Sequence, residues 1–191
     1  MKIGLFFGSF NPVHNGHMVI AGYMAEYTDL DQVWFVVSPH NPLKLKRTLL
    51  QDHHRLAMVK IAIGDYRKIK VSDIEFKLPK PSYTIHTLTY LFEKFPEHKF
   101  VLLLGSDNLN TFTKWKNYEQ ILELVELYVY PRKDEEPGEL STHPNVKLIN
   151  APVMELSSSF IREAIQNKKD VRYMLPEKVW EYIDEMNFYK Q

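Results

Sequence analysis

A doubly wound parallel α/β sheet is the fold this sequence predicts, and three observations carry the prediction. Short apolar runs (Lys2–Phe7, Val33–Val37, Lys99–Leu104) alternate with segments of helical period. Two glycine-containing turns, Gly8-Ser9 and Gly105-Ser106-Asp107, directly follow the first and last of those runs, so both sit at the carboxyl end of a strand, the edge where open α/β sheets bind ligands. The last forty residues, from about 152 to 191, lose the alternation and read as helix alone.

The elements follow in order. The first strand is Lys2–Phe7, and after a polar turn its helix runs from about Gly16 to Tyr27. Val33–Val37 is a second buried strand, followed by a Pro- and Lys-rich loop, Ser38–Gln51. Asp52 can cap the next helix, which carries Leu56, Val59, Ile61 and Ile63. Ile69-Lys70-Val71 is a short strand. Ser82 or Thr84 then caps a helix with Leu88, Leu91 and Phe92 on its apolar side, ending before Pro96. Lys99–Leu104 is apolar almost throughout and so belongs at the centre of the sheet. Leu127–Tyr130 is a fifth strand and Val146–Ile149 a sixth. Between them, Pro131–Asn145 has the composition of a surface loop whose mixed charge serves solvation. Helices follow at Ser157–Gln166 and after Pro176, the latter in a first-turn position and leading Val179, Trp180, Ile183 and Met186. No repeat, low-complexity tract or linker interrupts the chain. The expected organisation is one domain, 1–191: a Rossmann-like doubly wound sheet with a C-terminal helical segment.

Composition narrows the function. Hydrophobic residues make up 45% and charged residues 25%, as in ordinary globular proteins. With 24 Lys and Arg against 24 Asp and Glu, the formal charge is zero, which disfavours a reader of nucleic-acid backbone. Cysteine is absent, excluding disulfides and thiolate metal sites and suiting a reducing cytoplasm. The apolar run after Met1-Lys2 is too short for a signal-peptide core, and no stretch approaches a membrane span. The expectation is a cytoplasmic protein with no membrane and no nucleic-acid partner. Oligomeric state, a homo-oligomer included, is left open.

Three constellations carry chemistry. The first is Gly8-Ser9-Phe10-Asn11-Pro12-Val13-His14-Asn15-Gly16-His17, between a strand and a helix whose free N–H groups point back at the turn. His14 and His17 lie on one side of the first helical turn, with no Cys, Asp or Glu nearby to complete a metal site, so they suit an oxyanion. Gly16 would let a ligand approach the backbone. The second is Leu156-Ser157-Ser158-Ser159-Phe160-Ile161-Arg162, where three hydroxyls open a helix and Arg162 follows within about one turn. A cap explains one serine, and phosphate binding explains the rest. The third is Gly105-Ser106-Asp107-Asn108 followed by Trp115 and Tyr118. A carboxylate suits vicinal hydroxyls, and an indole flanked by Lys114 and Lys116 suits a cationic ring, with core packing the competing role for Trp115. Neither glycine turn is G-x-G-x-x-G and no G-x-x-x-x-G-K-[ST] is present, so dinucleotide-dependent dehydrogenases and P-loop enzymes are set aside.

Together these motifs resemble those of the HxGH nucleotidyltransferase superfamily, and GSFNPVHNGH is similar to the form found in bacterial nicotinate-nucleotide adenylyltransferases. The resemblance spans nearly the whole chain, with four motifs in the family's order. It implies that Gly8, Ser9, Phe10, His14, His17, Gly105, Asp107, Ser157, Ser158 and Arg162 bind ATP, Asp107 through the ribose hydroxyls and the ISSSxIR-like segment through the β- and γ-phosphates. His14, His17 and Arg162 would be catalytic. Ser9, Lys44, Tyr83, Thr84 and Trp115 would bind nicotinate mononucleotide, Trp115 by stacking on the pyridine. Ser82–Leu88 matches the family's SYTxxTL helix entrance, whose main-chain N–H groups hold the nicotinate carboxylate; Tyr83 either walls that pocket or fills core. His86 stands where many relatives carry an acid, which leaves its role open. Lys44 is displaced by three residues from the lysine of the family's PHK run, and a solvated basic loop competes with a phosphate role. Arg55 matches a family arginine, although His53-His54-Arg55 reads as a surface or capping feature. The implied reaction is adenylyl transfer from ATP, with Mg²⁺ carried by the nucleotide and no protein metal ligands. No nucleophile with an adjacent base is present, so direct in-line displacement is expected. Other acceptors (nicotinamide mononucleotide, another small phosphate), a non-catalytic nucleotide sensor and a class I aminoacyl-tRNA synthetase fragment are the alternatives.

Overall fold

The computed structural model describes residues 1–39, 49–136 and 138–190. Its centre is a six-stranded, all-parallel sheet made of β1 (Lys2–Gly8), β2 (Gln32–Val37), β3 (Ile69–Ser72), β4 (Lys99–Gly105), β5 (Glu126–Tyr130) and β6 (Val146–Leu148), in the order β3-β2-β1-β4-β5-β6. Side chains alternate across it as a two-residue period requires. Phe6, Val33, Phe35, Val101 and Leu103 enter one core layer, while Ile3, Leu5, Val36, Leu102 and Leu104 enter the other. The first layer is closed by α1 (Asn15–Tyr27) through Ile20, Ala21 and Met24, and by α2 (Asp52–Ile63) through Met58 and Val59. The second is closed by α3 (Thr84–Lys94) through Leu88 and Leu91, and by α5 (Tyr118–Leu124) through Ile121 and Leu122. A short α4 (Ser106–Asn110) follows β4 directly. The C-terminal helices α6 (Ser158–Gln166) and α7 (Glu177–Glu185) add Ile161, Ile165, Val179 and Ile183 to the α1–α2 layer.

Strand order reverses between β1 and β4, which pair with Phe6 opposite Leu103. Gly8 lies opposite Val37, and Gly105 opposite Tyr130. Four chain segments therefore leave the sheet along one edge at the switch point, where a crevice opens. The two glycine turns, nearly a hundred residues apart in sequence, become neighbours there.

Several local expectations need correction. Asp52 begins α2 but does not cap it: Gln51 occupies the cap position without a side-chain bond, and Asp52 Oδ1 instead accepts from Arg55 Nη2 at 2.6 Å. Neither Ser82 nor Thr84 caps α3. Tyr83 holds that position with no side-chain bond, while Ser82 Oγ donates to Glu75. Pro176 is at the cap of α7 and not inside its first turn, and Met186 is largely exposed at the far end. The Pro131–Asn145 segment holds a 3₁₀ turn at Glu139–Thr142, and α4 and α5 were not expected. At five and seven residues they are too short to display a 3.6-residue period.

Candidate functional site

The polar turn after β1 is held in shape by its own side chains and by three other segments. Phe10 adopts φ +46°, unusual for a bulky residue, and its ring is buried against Phe35 at 5.0 Å, Phe6 at 5.8 Å and His17 at 5.1 Å. Packing energy holds that backbone in a sparsely populated region. The Phe10 side chain is thus core, which leaves its main chain for a ligand. Gly8 is required here, because a Cβ would lie 2.8 Å from the Phe10 ring.

His14 caps α1, and its Nδ1 accepts from the His17 N–H at 3.4 Å. In return His17 Nδ1 accepts from the His14 N–H at 3.2 Å, a capping box built from two imidazoles stacked 3.7 Å apart. A ring whose Nδ1 accepts carries its proton on Nε2, so both residues present N–H donors, the polarity an anion needs. Burial, aided by the charge of Arg132, holds the His14 imidazole down to about 4, so it is neutral at pH 7. Gly16 has a packing role as well. A Cβ there would meet His14 Nδ1 at 3.0 Å and Leu156 at 3.5 Å, so the glycine makes room for the histidine and for the segment before α6.

The serine-led helix docks directly on this turn. Ser157 caps α6 by accepting from the Phe160 N–H at 3.2 Å. Ser158 Oγ donates to the Pro12 carbonyl at 2.8 Å, and Arg162 Nη1 donates to the Asn11 carbonyl at 2.7 Å. Arg162 Nη2 also reaches Ser159 Oγ at 3.2 Å. The motifs at the two ends of the chain therefore share one wall. Phe6, His14, Gly16, His17, Tyr130, Arg132, Met154 and Leu156 are among the residues lining the crevice beside it.

Arg55, expected at the surface, is fully buried. It donates to the carbonyls of Ser9 (2.6 Å), Ser38 (2.8 Å), Leu50 (3.0 Å) and Pro39 (3.3 Å), and pairs with Asp52. One guanidinium thus fixes the ends of β1 and β2 together. Burial lowers its pKa, opposed by Asp52.

On the other flank, Ser106 Oγ accepts from the Arg132 N–H at 2.9 Å. Asp107, partly exposed, receives Asn108 Nδ2 at 3.3 Å and has Arg132 Nε at 3.7 Å. Arg132 lies 5.3 Å from the centre of the Tyr130 ring. Its Nε is buried without a hydrogen-bond partner among the described residues. A Cβ at Gly105 would press on the Asp107 carboxylate and lie 3.1 Å from the Arg132 side chain, so the glycine leaves both side chains in their present positions. Sequence reasoning missed Arg132 by treating its loop as solvation. The usable signal was position: it stands two residues after the end of β5, on the same edge as both glycine turns.

The third flank is the start of α3. Tyr83 and Trp115 are half-buried; the Trp115 ring lies 5.0 Å from that of Phe112, and Lys116 Nζ sits 4.5 Å over the Tyr83 ring and 3.4 Å from His86 Nε2. Beneath them Glu75 is buried, accepting from Thr87 Oγ1 at 2.8 Å and Ser82 Oγ at 3.2 Å and bonded to Ser38. Burial keeps its carboxyl above the ordinary carboxylate range against those bonds. Glu75 ties the Ser82–Thr84 entrance to the end of β2 and was also missed. Lys44 lies outside the described residues, as does His40. Among the described residues no group of three or more His, Cys, Asp and Glu side chains is arranged to hold a metal ion. No helix among them is long and apolar enough to cross a membrane.

A switch-point crevice with paired imidazole donors, a helix start carrying serine and arginine, and a carboxylate across from them defines the cytidylyltransferase-like class, and residues 5–164 match that family's model. A protein of Flavobacterium johnsoniae named "Probable nicotinate-nucleotide adenylyltransferase" is 59% identical, with both chains covered in full. One of Bacteroides thetaiotaomicron under the same name is 48% identical over 97% of this chain and 92% of its own. Among solved structures, Plasmodium falciparum nicotinic acid mononucleotide adenylyltransferase complexed with NaAD shares the fold, with a TM-score of 0.83 at 23% identity, covering 98% of this chain and 97% of that one. The chain belongs to the nicotinate-nucleotide adenylyltransferase family.

Proposed function

We propose that this protein transfers the adenylyl group of ATP to nicotinate mononucleotide, forming nicotinate adenine dinucleotide and pyrophosphate. The observation that carries this reading is the pair of bonds from Arg162 and Ser158 to the Asn11 and Pro12 carbonyls. They set the serine-led helix against the histidine turn, so one triphosphate can be bound by both. The names of the relatives that match over nearly their whole length agree with it.

In this reading the mononucleotide's phosphate oxygen attacks the α-phosphorus, and the bond to the β-phosphate's bridging oxygen breaks, releasing pyrophosphate. The Nε2–H groups of His14 and His17 stabilise the charge that grows on the α-phosphoryl oxygens. The Ser157–Ser158 helix start and Arg162 hold the departing pyrophosphate, with Gly8, Ser9 and the Phe10 main chain lining the turn. Asp107 accepts from the ribose hydroxyls beside Gly105, and Arg132, whose Nε has no hydrogen-bond partner among the described residues and lies 3.7 Å from Asp107 Oδ1, faces the same nucleotide. Tyr83 and the Thr84 N–H at the uncapped start of α3 frame the nicotinate carboxylate, with Trp115 against the pyridine face. Ser9 contributes from the shared turn.

The donor set fits an ion carried by the nucleotide: both imidazoles offer N–H groups and not lone pairs, and among the described residues no group of three or more His, Cys, Asp and Glu side chains is arranged to hold a metal ion. Magnesium held by phosphate oxygens would supply charge neutralisation there. We further infer that residues 1–191 act as one catalytic unit, the part from about 152 closing the cleft, and that the enzyme works in the cytoplasm, where ATP is supplied and proteins do without disulfides.

The test is pyrophosphate release from ATP and Mg²⁺ with nicotinate mononucleotide or nicotinamide mononucleotide as acceptor. Release with the acid well above the amide is expected. Release with neither removes the reading, and preference for the amide reassigns the acceptor.

A further inference from the structure

The segment after α7 folds back onto the histidine turn. Phe188 packs edge-on against His54 of α2, with ring centres 4.7 Å apart, and His54 Nδ1 is 2.8 Å from the Tyr182 hydroxyl. The chain then places Tyr189, at φ +63°, with its hydroxyl donating to Asn11 Oδ1 at 2.7 Å. The same Oδ1 accepts from the Leu50 N–H at 3.2 Å, so the Asn11 side chain is fixed from two directions. Its main-chain carbonyl is the one that receives Arg162. Burial keeps the Tyr189 hydroxyl protonated far above neutral pH, against the pull of Arg162 and Arg55, so it remains a donor throughout.

Asn11 is buried and lies three residues before His14. Rotation of its peptide would swing the carbonyl that seats Arg162 and would tilt the chain leading into the α1 cap. A left-handed backbone at an aromatic residue costs free energy and persists only where its contacts hold it. At Tyr189 those contacts are packing against the core, with the Phe188 ring 6.2 Å away, and the bond to Asn11. We infer that Tyr189 is a positioning residue for adenylyl transfer: through Asn11 it fixes the direction of the Arg162 guanidinium relative to the two histidines. Resting on the function proposed above, the inference extends it to a residue that touches neither nucleotide.

The experiment is Tyr189→Phe, which removes one hydroxyl and keeps the packing. The single-turnover rate of pyrophosphate formation should fall about five- to tenfold, the range set by one hydrogen bond. KM for the mononucleotide should stay within about twofold, because Arg162 serves the triphosphate side of the crevice, and any rise in KM for ATP should be smaller than the fall in rate. A lower melting temperature with an unchanged rate would mean the tyrosine only braces α7, and overturns the inference. A rise in KM at constant rate overturns it equally. Combining Tyr189→Phe with Arg162→Lys tests the route: the double variant should lose less than the product of the two single losses, and multiplicative losses would show that Tyr189 does not act through Arg162. If the parent protein forms no pyrophosphate, the functional reading fails first, and the failure is distinguishable from these outcomes.

Discussion

The histidine turn and the entrance to α3 leave the same sheet edge, yet they are anchored very differently. Around the turn, Arg55 grips the Ser9 carbonyl, Arg162 and Ser158 grip those of Asn11 and Pro12, and Phe10 is sunk in the core. Around the α3 entrance the support comes from below, through Glu75, while Tyr83, Trp115, Lys116 and His86 stay partly or wholly exposed. Transition-state charge must be met by donors already in place, which demands a backbone fixed from several sides. Choosing between pyridine acceptors needs only a surface of the right shape and polarity. The difference predicts that damage to the first region shows in folding and turnover, and damage to the second in substrate affinity.

The largest effect should come from Arg55→Ala. Removing a fully buried guanidinium strands four carbonyls and the Asp52 carboxylate, a loss of about 3–5 kcal/mol. Urea unfolding measures it; a loss under about 1 kcal/mol would mean water replaces the arginine freely and the turn is not anchored as described. Next is His17→Ala. Turnover should drop about a hundred- to a thousandfold while the ATP dissociation constant changes far less, since the imidazole acts on charge that grows only in the transition state. Equal losses in turnover and binding would move His17 from catalysis to ground-state binding.

The same contrast explains what the sequence disclosed. The parallel sheet, the central place of Lys99–Leu104 and the convergence of Gly8 with Gly105 followed from apolar runs and strand-end glycines, because burial on both faces writes itself as continuous hydrophobicity. The histidine turn and the Ser157–Arg162 segment were legible because each packs its polar groups into a few consecutive residues at a helix start. Arg132, Glu75, Tyr189 and the bracing of Asn11 were not: each depends on partners contributed by other elements, and none of these residue types is a signal by itself. Arg132 looked like one charge among several in a loop, and only the register of β5 against β4 brings it beside Asp107. Arg55 was read as surface because flanking histidines mask a position whose burial depends on β1 and β2 ending together.

His14 supplies a pH test of the anchored region. Burial holds its imidazole at about 4, against 6.5 for an ordinary histidine. The unfolded chain therefore takes up the proton first as pH falls. The stability tied to the neutral ring is complete above about 6.5 and drains away as pH drops towards about 4, about 3 kcal/mol in all. Urea unfolding of the parent and of His14→Asn at about pH 7 and about pH 4 isolates this part, with the parent losing more. Parallel losses would show that the ring is hydrated in the folded protein.

Trp115→Ala probes the open region and should have the smallest effect. The indole touches Phe112 but is only half-buried, so truncation removes less packing than a core aromatic would. A cationic pyridine ring stacked on it is worth about 0.5–2 kcal/mol, so KM for nicotinate mononucleotide should rise about tenfold. KM for ATP and turnover at saturation should hardly move, and Trp115→Phe should recover part of the loss because a smaller π-face still attracts the cation. The pattern reverses if the ring belongs to the core: thermal stability would then fall with KM unchanged, and the pyridine would have to be held elsewhere along the Tyr83–Lys116 side of the crevice.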